Sequence, residues 1–281
     1  AGTLSVWEVA TGQKVREFSG HQARVNAAAV AWDTGRLASV SEDGTLRVVG
    51  GSVDSYWPYA ANASLSMTGG ALDFDGVGIG VHNSASYRLT NNLSGGRIRT
   101  SGDFVCASTN FNPAGGEVEM YGAANKLLNL VSNSSLHSLL INKTTATVTA
   151  HSNLVLTGDC AIQSGAFTAP QILNVGGNWR NDVGPAGFVE GLGKVVFDGP
   201  GTGDILTDET FYTFELNKSY ANFDGLELAS GVRVTVSNTL SCANGTLEMN
   251  PDSVLNVRSN VTLVRGAGLN ANDLNTAVFV G

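Results

Sequence analysis

The sequence predicts an all-β protein, a right-handed parallel β-helix over most of its length. Three observations point there: a composition rich in turn formers and poor in charge, short alternating segments throughout, and recurrence of those segments at long range. Glycine supplies 35 of 281 residues and only 14% are charged, against about 25% in an ordinary soluble domain. Asparagine, serine and threonine number 25, 25 and 23. Their side chains offer the backbone local hydrogen bonds that compete with a helix and suit turns. At 42% hydrophobic, the chain is too apolar for wholesale disorder.

The first element is a repeat within residues 1–49. Gly2-Thr3-Leu4-Ser5-Val6-Trp7 recurs as Gly44-Thr45-Leu46-Arg47-Val48-Val49, 42 residues later. Between the copies lie Ala10-Thr11-Gly12, Gly20-His21, the apolar run 25–32, and Leu37-Ala38-Ser39-Val40-Ser41-Glu42-Asp43-Gly44. The spacing falls within the ~40–45-residue period of a propeller blade. These motifs resemble the WD-repeat propeller family. The resemblance implies a structural hydrogen-bonded set of His21, Ser39 and Asp43 with a strand-ending Trp, and a hairpin turn at Asp43-Gly44. The second copy departs from the pattern, ending Val49-Gly50-Gly51 in place of Trp. One blade cannot bury its own faces, so the segment is expected to need neighbours.

Residues 50–68 read as a junction. Tyr56, Trp57 and Tyr59 cluster around Pro58. They suit either a carbohydrate contact surface or a hydrophobic cap on the first coil, and a cap is what a solenoid end requires.

Residues 69–281 carry the long-range recurrence. Glu117–Gly122 matches Lys194–Gly199 at an offset of 77, with a third copy at Ala71–Gly76. Leu140–Lys143 matches Glu215–Lys218 at 75, Ile98–Phe104 matches Leu173–Trp179 at 75, and Ile172–Val175 matches Val254–Val257 at 82. A unit of this size divides into three or four coils of ~20–25 residues, the dimensions of a solenoid. Asn142, Asn217, Asn174 and Asn256 are expected at turns between coil faces. Residues 127–140 have a helix-like spacing, but their repeat partner is strand-like, so strands are expected there. The competing architecture is an antiparallel β-sandwich array. The blocks Gly176-Gly177-Asn178-Trp179, 195–201, Phe211-Tyr212 and Leu216-Asn217-Lys218 resemble the repeats of large secreted, adhesin-like bacterial surface proteins with β-helical stalks. That resemblance implies an extracellular or cell-surface scaffold with carbohydrate or other surface proteins as partners, and it carries over no catalytic residues.

Charge narrows the function further. The net charge is −8, with 16 basic residues scattered among 24 acidic ones. A nucleic-acid footprint needs clustered Lys and Arg, so nucleic acid is not an expected partner. No apolar run approaches the ~18 residues of a spanning helix, and no membrane insertion is expected. Both ends fall inside strand-like runs, which reads as a piece of a longer protein. Cys106, Cys160 and Cys242 have no metal or disulfide spacing and are expected as small buried hydrophobes. The four histidines show no metal spacing.

Gly76-Val77-Gly78-Ile79-Gly80 lacks the following helix that a dinucleotide fold demands, and Gly191-Leu192-Gly193-Lys194 lacks the remaining phosphate-loop residues. No cofactor, metal site or catalytic residue is therefore assigned. The acidic groups that acid/base or calcium chemistry would draw on are Asp73 with Asp75, and Asp204 with Asp208 and Glu209. Asp103 and Asp159 stand alone beside glycines. Each reads as a turn or a solvated face, although stacked coils can bring distant carboxylates together. The expected function is a non-catalytic structural or adhesive module. Two alternatives are kept: a polysaccharide lyase or hydrolase on the same fold, and a protein-interaction module completing a β-propeller.

Overall fold

The structure is a computed structural model. It describes residues 2–31, 36–43, 45–49, 53–54, 62–76, 78–81, 88–109, 111–219, 225–264, 267–271 and 276–279. Tyr56, Trp57 and Tyr59 lie outside the described residues. No helix occurs among those described.

The N-terminal part is antiparallel. β1 (Gly2–Glu8) and β2 (Gln13–His21) form a two-stranded hairpin. β3 (Val25–Ala31), β4 (Arg36–Ser41) and β5 (Thr45–Val49) form a meander. At β5 the pairing changes. Its other edge pairs in parallel with the far end of β7 (Asn62–Asp75), Thr45 opposite Ala71 and Val49 opposite Asp75. Every strand pairing after that is parallel. The molecule is therefore a parallel β-solenoid and not a sandwich array.

Each coil has three sides. The chain passes a first side at 62–67, a second at 71–75 and a third in β8 (Ile79–Val81), β6 (Val53–Asp54) lying against β8. It then repeats the circuit in β9 (Arg88–Thr100), β10 (Phe104–Cys106), β11 (Gly115–Gly122), β12 (Lys126–Leu130) and β13 (Ser138–Ala150). Paired residues in neighbouring coils are 19 to 27 positions apart. The sequence predicts coils of about 20–25 residues, and the observed spacings centre on that range and run slightly beyond it at both ends. Residues 127–140 are strand and loop, as their repeat partner implies.

The core follows from strict alternation. On the second side, Ile98, Val118, Leu139, Cys160, Trp179, Ile205, Leu228 and Met249 occupy one register column. All eight are buried. Alternate residues of a strand point to opposite faces, so one slip of register would turn the whole column outward. Midway along, Trp179, Phe188, Phe197, Phe211 and Phe214 interlock, with Trp179 edge-on to Phe188 at 4.7 Å and to Phe211 at 5.3 Å. All three cysteines are free and buried.

The corners explain much of the glycine. Gly70, Gly96 and Gly116 turn the chain from the first side to the second in three successive coils, each with positive φ (75°, 81° and 86°). A Cβ on Gly96 would also lie 2.9 Å from the Gly69 carbonyl oxygen. Gly76 ends the second side of its coil, with φ of 75°.

Two expectations are corrected. The blocks matched at 75–82 residues do not occupy equivalent places. Glu117–Gly122 lies on the second side, whereas Lys194–Gly199 belongs to the first-side ladder. Ile172–Val175 is on the first side and Val254–Val257 on the third. What recurs is a strand with a corner after it, because all three sides require the same alternation and the same sharp end. Second, Asn142, Asn174, Asn217 and Asn256 are within strands, not at turns. Three of them bond outward to the neighbouring coil: Asn142 to Glu119, Asn174 to Asp198 and Asn217 to Asn244. An amide can donate on one side and accept on the other, which suits a position between two coils.

Candidate functional site

The described carboxylates converge most densely on the outward face of the second side, near its N-terminal end. The register there places Arg47, Asp73, Arg99 and Glu119 opposite one another in four successive strands. Their charges alternate. Opposite charges directly across a strand pair stabilise it.

The contacts match the register. Asp73 accepts from Arg47 Nη1 at 2.8 Å, Arg99 Nη1 at 2.9 Å and the Tyr121 hydroxyl at 2.7 Å. Glu119 accepts from Arg99 Nε at 2.7 Å, Asn142 Nδ2 at 2.9 Å and Arg97 Nη1 at 3.3 Å. Asn142 in turn accepts from Ser164 at 3.0 Å, extending the chain of bonds by one coil. Arg99 lies over the Tyr121 ring at 4.6 Å, within cation–π range. Arg47 also reaches Asp75 at 3.1 Å, and Arg97 Nε lies 2.7 Å from Glu117.

Burial and charge set the electrostatics. The side chains of Asp73 and Glu119 are 1% and 2% exposed. Burial alone would push the Glu119 carboxyl up. Hydrogen bonds from Arg99 and Asn142, and the charges of Arg99 and Arg97, outweigh it and hold the group below its usual range. Burial and the bond to Asp73 raise the Tyr121 phenol. Burial also raises Glu117, against the pull of Arg97.

The sequence reading of Asp73 and Asp75 as a solvated face or turn is corrected for Asp73. The two do share a face, but Asp73 is fully buried beneath side chains from other coils. Its cationic partners are 26 residues away on either side, so no local inspection finds them. A signal did exist. Arg47, Asp73 and Arg99 are spaced at one coil length, and the match of 71–76 with 117–122 aligns Asp73 with Glu119.

The other acidic candidates separate. Asp103 accepts from Leu127 N at 2.9 Å, Asp159 from Asn178 N at 2.7 Å and Asp208 from Arg233 N at 2.7 Å. Each fastens the start of a strand one coil later. Asp204 stacks in register with Glu227 and Glu248. Glu209 points into the core, accepting from Trp179 Nε1 at 3.0 Å, Asn181 Nδ2 at 2.9 Å and Thr210 N at 2.9 Å. Burial pushes it up to about 6. Glu190, raised by burial and by the Glu209 charge, sits at about 7.

Two lysines are also buried. Lys143 donates to the Tyr121 carbonyl at 2.5 Å and Lys218 to the Gly176 carbonyl at 2.6 Å. Burial lowers Lys143 to about 8. Lys143 lies within β13 and Lys218 ends its strand. Both close blocks that the sequence repeat matches, and both bond to the carbonyl of an earlier coil.

At the N-terminal end, His21 Nε2 lies 2.9 Å from Ser39 Oγ and His21 Nδ1 3.3 Å from Asp43 Oδ2. Asp43 also accepts from Gln22 N at 2.6 Å. Trp7 is largely exposed. Among the described residues no group of three or more His, Cys, Asp and Glu is placed to hold a metal ion. A shallow depression beside the glycine corner is lined by Met67, Leu93, Phe111 and His137, and its one carboxylate, Glu117, is paired to Arg97.

The fold and this face define a three-sided parallel β-solenoid whose outer charges are bonded from coil to coil. Comparison with protein-family models, curated proteins and solved structures gives no match.

Proposed function

We propose that this chain is a non-catalytic structural or adhesive module of a large secreted or cell-surface bacterial protein. Its solenoid serves as a rigid stalk or scaffold, and its partners are carbohydrate or other surface proteins. One observation carries the reading: Asp73 and Glu119 are saturated by donors from neighbouring coils. A general acid or base must reach the proton it moves, and neither carboxylate has a free approach. They serve cohesion between coils.

Incubation with a panel of neutral and acidic polysaccharides tests this. No new reducing ends and no unsaturated uronate absorbance are expected. Release above blank would overturn the proposal.

The enzyme reading draws its support from Glu190 and Glu209, two carboxylates raised by burial, Glu190 also by the charge of Glu209. Such pairs are where acid/base roles are sought. It requires cleavage that Glu190→Gln abolishes. The propeller reading draws its support from the contacts of His21 with Ser39 and Asp43, the set implied by the WD-repeat resemblance.

A further inference from the structure

We infer that residues 2–49 are the N-terminal cap of the solenoid, locked in register by the Arg47 guanidinium. A solenoid end exposes unpaired strand edges and inward-facing apolar groups. Both invite association with other chains, and terminal units of repeat proteins are built to cover them. Here the second-side edge of β7, residues 71–75, is covered by β5 through five register pairs. Beyond β5 the direction reverses, because β4 and β3 are antiparallel. The parallel stack therefore stops at this point and is closed by a meander.

Arg47 sets the register of that seam. It faces Asp73 across the pair and forks between Asp73 and Asp75. A one-residue slip of β5 would carry Arg47 to the opposite face and break both contacts. The hairpin β1–β2 is tied on behind the meander through His21, which meets Ser39 of β4 and Asp43 of the following turn. Without Arg47, Asp73 keeps Arg99 and Tyr121. The solenoid is thus expected to survive loss of the lock while the cap loosens.

Amide hydrogen exchange of the full chain, read by mass spectrometry, tests this. In Arg47→Gln, segments 25–31, 36–41 and 45–49 are expected to exchange at least tenfold faster, with strands from residue 115 onward unchanged. Unchanged exchange across 25–49 would overturn the inference. So would acceleration spread evenly through 115–257, since Arg47 would then belong to one undivided unit and not to the seam of a cap.

Discussion

Removing the Arg99 guanidinium takes a charged donor from two buried carboxylates at once, Asp73 and Glu119. Neither is left alone, because Asp73 keeps Arg47 and Tyr121 while Glu119 keeps Arg97 and Asn142. A hydrogen bond to a charged group contributes about 1.5–3 kcal/mol, so Arg99→Met is expected to lose about 2 kcal/mol in urea unfolding, and Arg99→Lys to recover only part of it, because an ammonium cannot fork to both partners. Glu119 and Glu209 give opposite pH signatures. Glu119 is depressed below its ordinary 4.5, so its contribution is full above that pH and is lost as the pH falls through its folded value. Glu209 is raised from 4.5 to about 6. The fold favours its neutral form, so this contribution is full below pH 4.5 and fades as the pH rises through 6, about 2 kcal/mol in all. Glu209→Gln keeps an acceptor for Trp179 without the charge. Its urea midpoint is expected to lose part of the decline seen between pH 4.5 and 6.5 in the unsubstituted protein, the rest belonging to Glu190, raised to about 7. An unaltered decline would show that another group titrates there. Asp73, Asp75 and Glu209 were visible in the sequence as acids, but their roles depend on residues at least one coil away.

At the scale of a strand, Lys194–Gly199 separates inward from outward positions. Val195 and Phe197 belong to the core, and Phe197 packs against Trp179, Phe211 and Phe214. Val196 is also covered, but on the outer side, between Asn174 and Glu215 of the adjacent coils. Phe197→Asp buries a charge among aromatic rings and is expected to abolish cooperative unfolding at 25 °C. Val196→Asp, which can turn toward water, is expected to fold and to lose about 1–2 kcal/mol, part of it through repulsion by Glu215. Equal behaviour of the two variants would show that the inward assignment is wrong. Strand positions and corners were legible because alternation and glycine are local signals. The side of the coil on which each strand lies was not. Glu117–Gly122 and Lys194–Gly199 have like sequences on different sides, since the three sides make the same local demands. The strand asparagines were misplaced for a similar reason: an outward Asn between coils and an Asn at a turn look alike until the coil length is known.

At the scale of the molecule, stability is shared between each coil and its neighbours, as in other repeat folds. The coil length read from the sequence falls near the observed one, but the matched blocks lie on different sides, so their spacings are not whole numbers of coils. The charged face was not legible, because it appears only when 47, 73, 99 and 119 are brought to one row. That row is the centre of this account: its carboxylates join one coil to the next. A double-mutant cycle between Arg99→Met and Glu119→Gln, followed by urea unfolding at pH 7, tests it most directly. Residues joined in one buried network couple by about 0.5–3 kcal/mol, and a value of at least about 1 kcal/mol is expected for this pair. A coupling indistinguishable from zero would contradict the account, because Glu119 would then be held in place by something other than the ladder and would be free for another purpose.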